Sequence, residues 1–245
     1  MYSPWEGSHQ LKLDEGGWET LGPSPIPFNS DDQAPKEISL SDINIIIDDF
    51  VSAAQRALKA GFQVLEIHMA HGYLLHSFLS PVSNHRKDEY GDSFDNRIRL
   101  PMQVARAVRN VWPEELPLFV RLTGTDYLEN SWDISQAIML ATKLKNIGVD
   151  LIDCSSGFIA PNEKVPFAPG FQVPLAAKIR HEAKITTGAV GLITQSYQAD
   201  TVICTGQADV VLLARQLLRD PYWPLKAAEE LGIDISWPSQ YERAR

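Results

Sequence analysis

The sequence predicts an α/β fold in which a parallel β-sheet is covered by helices. Short, nearly continuous apolar segments alternate five times with segments whose apolar residues recur at helical spacing. Strands of this kind are typical of parallel sheets, which either close into a (β/α)8 barrel or stay open and doubly wound. No GxGxxG motif follows a predicted strand, and polar residues close one strand after another, which favours the barrel. The strand-closing residues are His68, Arg121, Asp153, Gly188 and Arg215.

The predicted elements follow one another in a regular order from residue 39 onwards. Ser39 or Ser41 can cap a first helix that ends at Gly61, because serine accepts hydrogen bonds from free helix N–H groups and glycine adopts the left-handed terminus. A strand at 64–67 follows immediately. Further strands are predicted at 118–123, 149–155, 186–191 and 210–215, and further helices at 104–111, 133–148, 174–184, 196–205 and 221–232.

Residues 1–38 are predicted to form an irregular loop segment, and residues 39–245 the barrel domain. The first ~35 residues are rich in Gly, Pro, Ser and Trp and lack a helical or strand period. Five strand–helix units cannot close an eight-stranded barrel and would leave two strand edges exposed.

Composition excludes several classes of partner. A formal net charge of −9 and a pI near 5.1 argue against nucleic-acid binding, which requires a basic face. The two cysteines, Cys154 and Cys204, lie far apart, so neither a disulfide framework nor a structural zinc site is predicted, and a reducing cytoplasm fits. No apolar run reaches the roughly 18 to 20 residues of a membrane span, so no membrane association is expected.

The strongest chemical signal is the pair of imidazoles just after the first predicted strand. As neutral rings, His68 and His71 can together hydrogen-bond to a carbonyl or phenolate oxygen and polarise it. Two alternatives remain open at this point: a zinc site with His76 or His85 as third ligand, and a purely structural role. Tyr73 follows two residues later and can donate a proton or merely cap the loop.

Arg121 interrupts an otherwise apolar strand, and an unpaired buried charge is very costly. Its partner is therefore either a carboxylate, such as Asp126 or Asp153, or a cofactor that becomes negative.

A second cofactor signal lies near the end of the sequence. Gly188 and Gly191 in TTGAVG, with Ala214 and Arg215 after the last strand, have the form of the phosphate site that barrels build after strands seven and eight. Glycines let backbone N–H groups approach a phosphate, and an arginine can contact two of its oxygens.

Taken together, these motifs resemble the old yellow enzyme family of FMN-dependent ene-reductases, in the subclass typified by bacterial NADPH dehydrogenases and their fungal relatives. The matching segments are EIHMAHGYLLHSFLSPVSNHRKDEYGDSFDNR, LFVRLTGTDY, GVDLIDCSSG, TGAVGLIT, LLARQLLRDP and QYER. The resemblance implies a TIM barrel that holds FMN, is reduced by NADPH or NADH, and passes hydride to the activated C=C bond of a small enone-type substrate.

The resemblance also implies roles for individual residues. His68 and His71 would bind the substrate carbonyl, Tyr73 would donate a proton, and Arg121 would stabilise the reduced flavin at N1 and the C2 carbonyl. Arg243 would reach into a neighbouring subunit's site in trans, which implies a homo-oligomer. The phosphate cradle would consist of Gly188, Ala189, Gly191, Ala214 and Arg215, with Ala214 in a position where many relatives have glycine.

The family's first three strands have no counterpart after Met1, so we expect a barrel truncated to about strands 4 to 8. The alternative function is therefore a catalytically inactive remnant that needs a partner chain. A third hypothesis is a metal-dependent barrel hydrolase that uses His68, His71 and His85.

Overall fold

The structure is a computed structural model that describes residues 10–244. The first nine residues of the predicted loop segment, and Arg245, lie outside the described range. The strands are β1 (Leu21–Gly22), β2 (Lys36–Glu37), β3 (Leu65–Met69), β4 (Leu118–Thr123), β5 (Leu151–Ser155), β6 (Thr186–Ala189) and β7 (Val210–Val211). The helices are α1 (Leu40–Lys59), α2 (Leu74–Leu79), α3 (Phe94–Arg97), α4 (Arg99–Val111), α5 (Ile134–Lys145), α6 (Val173–Ala183), α7 (Ser196–Cys204), α8 (Arg215–Arg219) and α9 (Trp223–Glu230).

The main sheet has five parallel strands in the order β3-β4-β5-β6-β7. A doubly wound sheet reverses its strand order at a switch point, whereas each strand here pairs with the next one along the chain. Strictly sequential parallel order is the winding of a (β/α)8 barrel. The barrel-type α/β prediction is therefore confirmed.

Helix α1 shows how local sequence sets the element boundaries. Of the two predicted caps, Ser39 is the one used: its hydroxyl accepts the N–H of Asp42 at 3.2 Å, and the Asp42 carboxylate accepts the N–H of Ser39 at 3.0 Å. This reciprocal pair satisfies two free donors of the helix start. The helix ends before Gly61, whose φ of 87° suits glycine.

Three local predictions need correction. The opening segment is not wholly irregular, because β1 and β2 pair in parallel and a 3-10 helix spans Leu13–Glu15. The polar segment after His85, for which no element is predicted, contains α3, whose start is capped by Ser93. Finally, β7 has two residues rather than six, because the chain leaves the sheet after Val211 and Arg215 already begins α8. Apolar composition alone does not show where a strand stops pairing.

The two faces of the main sheet differ in chemistry. Alternate residues such as Ile67, Val120 and Ile152 are buried in the core between the sheet and the helices. The opposite face carries four of the five predicted strand-closing residues, whereas the fifth, Arg215, lies in α8. Here the pairing places His68 beside Arg121, Arg121 beside Asp153, and Asp153 beside Gly188, so one row of polar groups crosses four strands.

Candidate flavin-binding site

A cavity of about 270 Å³ opens at the carboxyl ends of the strands. It brings together residues that are far apart in the sequence, since loops after parallel strands all emerge at the same edge. Of the predicted site residues, the cavity is lined by His71, Arg121, Gly191, Ala214 and Arg215.

The two imidazoles lie side by side at the end of β3. Their ring centroids are 5.2 Å apart, and the ring of Tyr73 packs edge-on at 5.3 Å from that of His68. Tyr73 is 66% exposed, and the buried Nε2 of His68 has no hydrogen-bond partner among the described residues. The structure therefore groups the three predicted catalytic residues, of which His71 lines the cavity whereas His68 and Tyr73 do not.

His71 is held more tightly than its neighbour. Its backbone takes a φ of 59°, which is uncommon for a residue other than glycine, and its N–H donates to Thr123 Oγ1 at 3.1 Å. The ring Nε2 lies 2.5 Å from Ser155 Oγ. Burial, followed by the positive charge of Arg121, lowers the pKa of His71 to about 4, so the ring is neutral at pH 7.

Arg121 lies at the centre of the polar row. Its Nε is 3.2 Å from Asp153 Oδ2, so one of the two carboxylates considered from the sequence is indeed its neighbour. The two groups form an ion pair without a hydrogen bond, and Arg121 Nε and both Asp153 carboxylate oxygens have no hydrogen-bond partner among the described residues. Burial raises the pKa of Asp153 to about 6, and Arg121 opposes that shift. With a side chain that is 29% exposed and lines the cavity, Arg121 can take an additional anionic partner.

The other carboxylate, Asp126, is hydrogen-bonded to side chains other than Arg121. It accepts from His76 Nε2 at 3.0 Å and from the Ser80 hydroxyl at 2.7 Å, and all three side chains are buried. The N–H of Gly72 donates to His76 Nδ1 at 2.8 Å. His76 is thus committed to a structural network and is not available as a metal ligand.

The zinc hypothesis lacks support in the geometry. Within residues 10–244 no three His, Cys, Asp or Glu side chains are grouped so that they could hold a metal ion. The backbone of His85 bonds to Ser24 Oγ, on the opening segment.

Gly191 is the part of the predicted phosphate cradle with the clearest steric reason. Its φ is 113°, and a Cβ at this position would lie 2.8 Å from the Gln172 amide and 3.1 Å from the Phe171 ring. Only glycine fits such a position without displacement. Gly188 and Ala189 lie deeper, within β6: a Cβ on Gly188 would meet Leu212 at 2.3 Å, and Ala189 is buried in the core. These two do not line the described cavity.

Sequence reasoning missed several residues that shape the site. Ser155 and Gln172 both line the cavity beside His71, and the ring of Phe158 packs edge-on against His71 at 5.7 Å. The serine pair Ser155–Ser156, at the end of β5, was a signal that could have been used. The sequence contained no signal for Gln172, because its position depends on how the loop after β5 folds back.

Arg243 lies exposed in a terminal 3-10 helix, Ser239–Ala244.

The arrangement fits a flavin on chemical grounds. A neutral imidazole pair stands beside a guanidinium with an unpartnered N–H, and a backbone cradle at Gly191 and Ala214 opens into the same cavity. An arginine near the flavin N1 and C2 carbonyl tunes the electronics of the ring.

No helix among residues 10–244 is long and apolar enough to cross a bilayer.

Comparisons with known proteins agree with this assignment. The sequence profile of the NADH:flavin oxidoreductase / NADH oxidase family matches residues 5–233. The NADPH dehydrogenase of Geobacillus thermodenitrificans is 48% identical over 236 residues, which make up 96% of this chain and 68% of that protein. The chain thus spans about two thirds of the length of this curated relative.

Two solved structures show the same fold. Morphinone reductase in complex with tetrahydroNAD superposes with a TM-score of 0.71 at 26% identity, covering 91% of this chain and 62% of that one. The old yellow enzyme homologue from Zymomonas mobilis gives a TM-score of 0.73 at 25% identity, covering 91% and 65%. The resemblance seen in the sequence motifs is confirmed, and the chain belongs to the NADH:flavin oxidoreductase / NADH oxidase family of FMN-dependent oxidoreductases.

Proposed function

We propose that this chain binds FMN at the cavity and, with NADPH or NADH as reductant, reduces the activated C=C bond of α,β-unsaturated carbonyl compounds. The observation that carries this proposal is Arg121, which lines the cavity beside neutral His71 with a guanidinium N–H that has no hydrogen-bond partner. Bound FMN would supply the hydride transfer, and the protein would supply orientation and charge.

Three side chains would act on the substrate: His68 and His71 on its carbonyl oxygen, and Tyr73 on its α-carbon. His68 packs beside His71, with 5.2 Å between the ring centroids, and its Nε2 has no hydrogen-bond partner among the described residues, which suits a hydrogen bond to the substrate's carbonyl oxygen. Such a bond draws electron density from the β-carbon and favours hydride arrival there. Tyr73, which is exposed and packs edge-on against His68, would deliver a proton to the α-carbon.

Arg121 and the cradle would hold the cofactor. The guanidinium would face the pyrimidine end of the ring, where negative charge develops on reduction. Backbone groups at Gly191 and Ala214, with the side chain of Arg215, would bind the phosphate. We further propose that residues 39–245 form the flavin-binding unit, and that Arg243 contributes to the site of a second copy in a cytoplasmic homo-oligomer.

The first test is an FMN titration of the purified chain, followed by visible absorption. We expect a bound flavin spectrum, and we expect Arg121→Met to weaken FMN binding at least tenfold, because a charge-assisted contact is lost. Arg106→Met is the matched control, since Arg106 is exposed on α4 away from the cavity. If the wild-type chain leaves the spectrum of FMN unchanged, the proposal fails for this chain.

The second test addresses the substrate. With FMN bound, anaerobic addition of NADPH should bleach the flavin, and 2-cyclohexenone should restore its colour. The double variant His68→Ala, His71→Ala should bind phenolic ligands at least tenfold more weakly while it retains FMN. Loss of flavin in this variant would instead show that the pair is structural.

A further inference from the structure

We propose that Phe158 is a specificity-determining residue whose ring closes the cavity beside His71 and excludes ligands that carry substituents next to their carbonyl or phenol carbon. This inference rests on the proposed function, because it concerns the substrate end of the same cavity. The observations that carry it are the backbone conformation, the exposure and the ring contact of Phe158.

Phe158 has a backbone conformation that its own packing does not explain. Its φ of 71° lies in the left-handed region, which is a rare conformation for a bulky residue. The side chain is 52% exposed, so burial of the ring offsets only part of the cost of this backbone. Residues held in such conformations cluster at active sites and ligand-binding sites. What the ring does provide is a wall of the cavity, which it lines together with His71.

The backbone of Phe158 is fixed from two sides. The Glu163 carboxylate accepts hydrogen bonds from three successive backbone N–H groups, those of residues 158–160. Successive N–H groups in a turn form a concave site for an anion, and here the anion is a side chain of the same loop. On the other side, the Phe158 carbonyl oxygen lies so close to Gly72 that a Cβ there would be 2.3 Å from it. The loop after β5 is therefore locked against the turn that carries the imidazole pair.

The ring contact defines which part of a ligand Phe158 would meet. The rings of Phe158 and His71 stand edge-on, with centroids 5.7 Å apart and an angle of 89° between their planes. A ligand oxygen that is hydrogen-bonded to an imidazole lies about 2.9 Å from the ring nitrogen. The carbons next to the oxygen-bearing carbon then lie within reach of the Phe158 ring, where a hydrogen fits and a methyl group overlaps. The inferred substrates are therefore enones without a substituent on the α-carbon.

The experiment compares the binding of phenol and 2,6-dimethylphenol to the purified chain by calorimetry, once without flavin and once with FMN added. We expect the wild-type chain to bind phenol at least tenfold more tightly. Phe158→Gly should reduce this ratio at least fivefold, because glycine adopts the left-handed backbone without strain and only the ring is lost. Phe158→Tyr, which keeps the ring, should retain the wild-type ratio.

The matched control is Phe62→Gly, which removes a similarly exposed ring that does not line the cavity. Its ratio should equal that of the wild type. An unchanged ratio in Phe158→Gly, or a wild-type chain that binds both phenols equally well, would overturn the inference and leave the proposed function intact.

The two proposals can fail separately in this experiment. A chain that discriminates between the phenols but does not bind FMN would refute the proposed function and support the role of Phe158. If the wild-type chain binds neither phenol, with or without FMN, the inference fails together with the substrate part of the proposed function.

Discussion

At the scale of single residues, the site depends on charges that the sheet holds close together. Asp153 is fully buried next to Arg121, and burial raises the pKa of its carboxyl from 3.8 to about 6. A raised carboxyl pKa means that the folded chain binds more protons than the unfolded chain between roughly pH 4 and 6. The stability contribution of Asp153 is therefore present below pH 4 and is lost as the pH rises through about 6.

Replacing this carboxylate should change how stability depends on pH. We expect Asp153→Asn to gain roughly 2 to 3 kcal/mol of unfolding free energy relative to the wild type between pH 4 and pH 7, since one pKa unit corresponds to about 1.4 kcal/mol. Urea unfolding at pH 4, 5, 6 and 7 measures this. The comparison must be made relative to wild type, because the lowered pKa of His71 gives the opposite slope between pH 4 and 6.5.

The control for Asp153 is Asp48→Asn, an exposed site on α1 with the same loss of charge. The difference between this variant and the wild type should stay constant over the pH range. An equally constant difference for Asp153→Asn would show that the buried carboxyl does not titrate in this interval.

At the scale of elements, the buried Asp126 joins α2 to the loop after β4. It bonds to His76 and Ser80 on and just after α2, and to the N–H of Trp132 at 3.1 Å within its own loop. Since His76 also accepts from Gly72, the turn that carries His71 and Tyr73 is tied to the same network. The position of the imidazole pair therefore depends on a carboxylate that has no contact with the cavity.

Asp126→Ala should lower the unfolding free energy by about 3 kcal/mol, because several buried polar groups would lose their hydrogen-bond partner at once. Asp133→Ala serves as its control: Asp133 caps α5 from an exposed position, and loss of such a cap costs about 1 kcal/mol. Chemical denaturation of both variants at pH 7 makes the comparison. Equal losses in the two variants would mean that the buried network contributes no more than a surface cap.

At the scale of the whole molecule, the protection of backbone amides from hydrogen exchange should fall from the centre of the main sheet to β7. All five residues of β5 are buried and both its neighbours are paired, whereas β7 has two residues, neither of them buried. Backbone amides whose hydrogen bonds break only when the whole molecule unfolds exchange most slowly with solvent. Hydrogen exchange followed by mass spectrometry should therefore show β4 and β5 protected at least a hundredfold more than β7, and equal protection would contradict this gradient.

The difference between local and long-range interactions explains which parts of the fold the sequence predicts well. The five main strands and the helices α1, α4 and α5 follow from apolar periodicity and from caps such as Ser39 and Asp133, which act within a few residues along the chain. The short α3 and the early end of β7 were not predicted, because they depend on partners elsewhere in the fold.

The sequence by itself determined the fold class, the family and the types of residue in the site: the strand-closing His68 and Arg121, and His71 just after the first strand, are visible as motifs. Only the tertiary structure decided what these residues contact. Arg121 contacts Asp153 because neighbouring strands are in register. His71 contacts Ser155, 84 positions away, because the loop after β3 and the end of β5 lie at the same edge of the sheet. Local sequence patterns carry no information on such long-range contacts, because these contacts are set by strand register and loop packing over the whole chain.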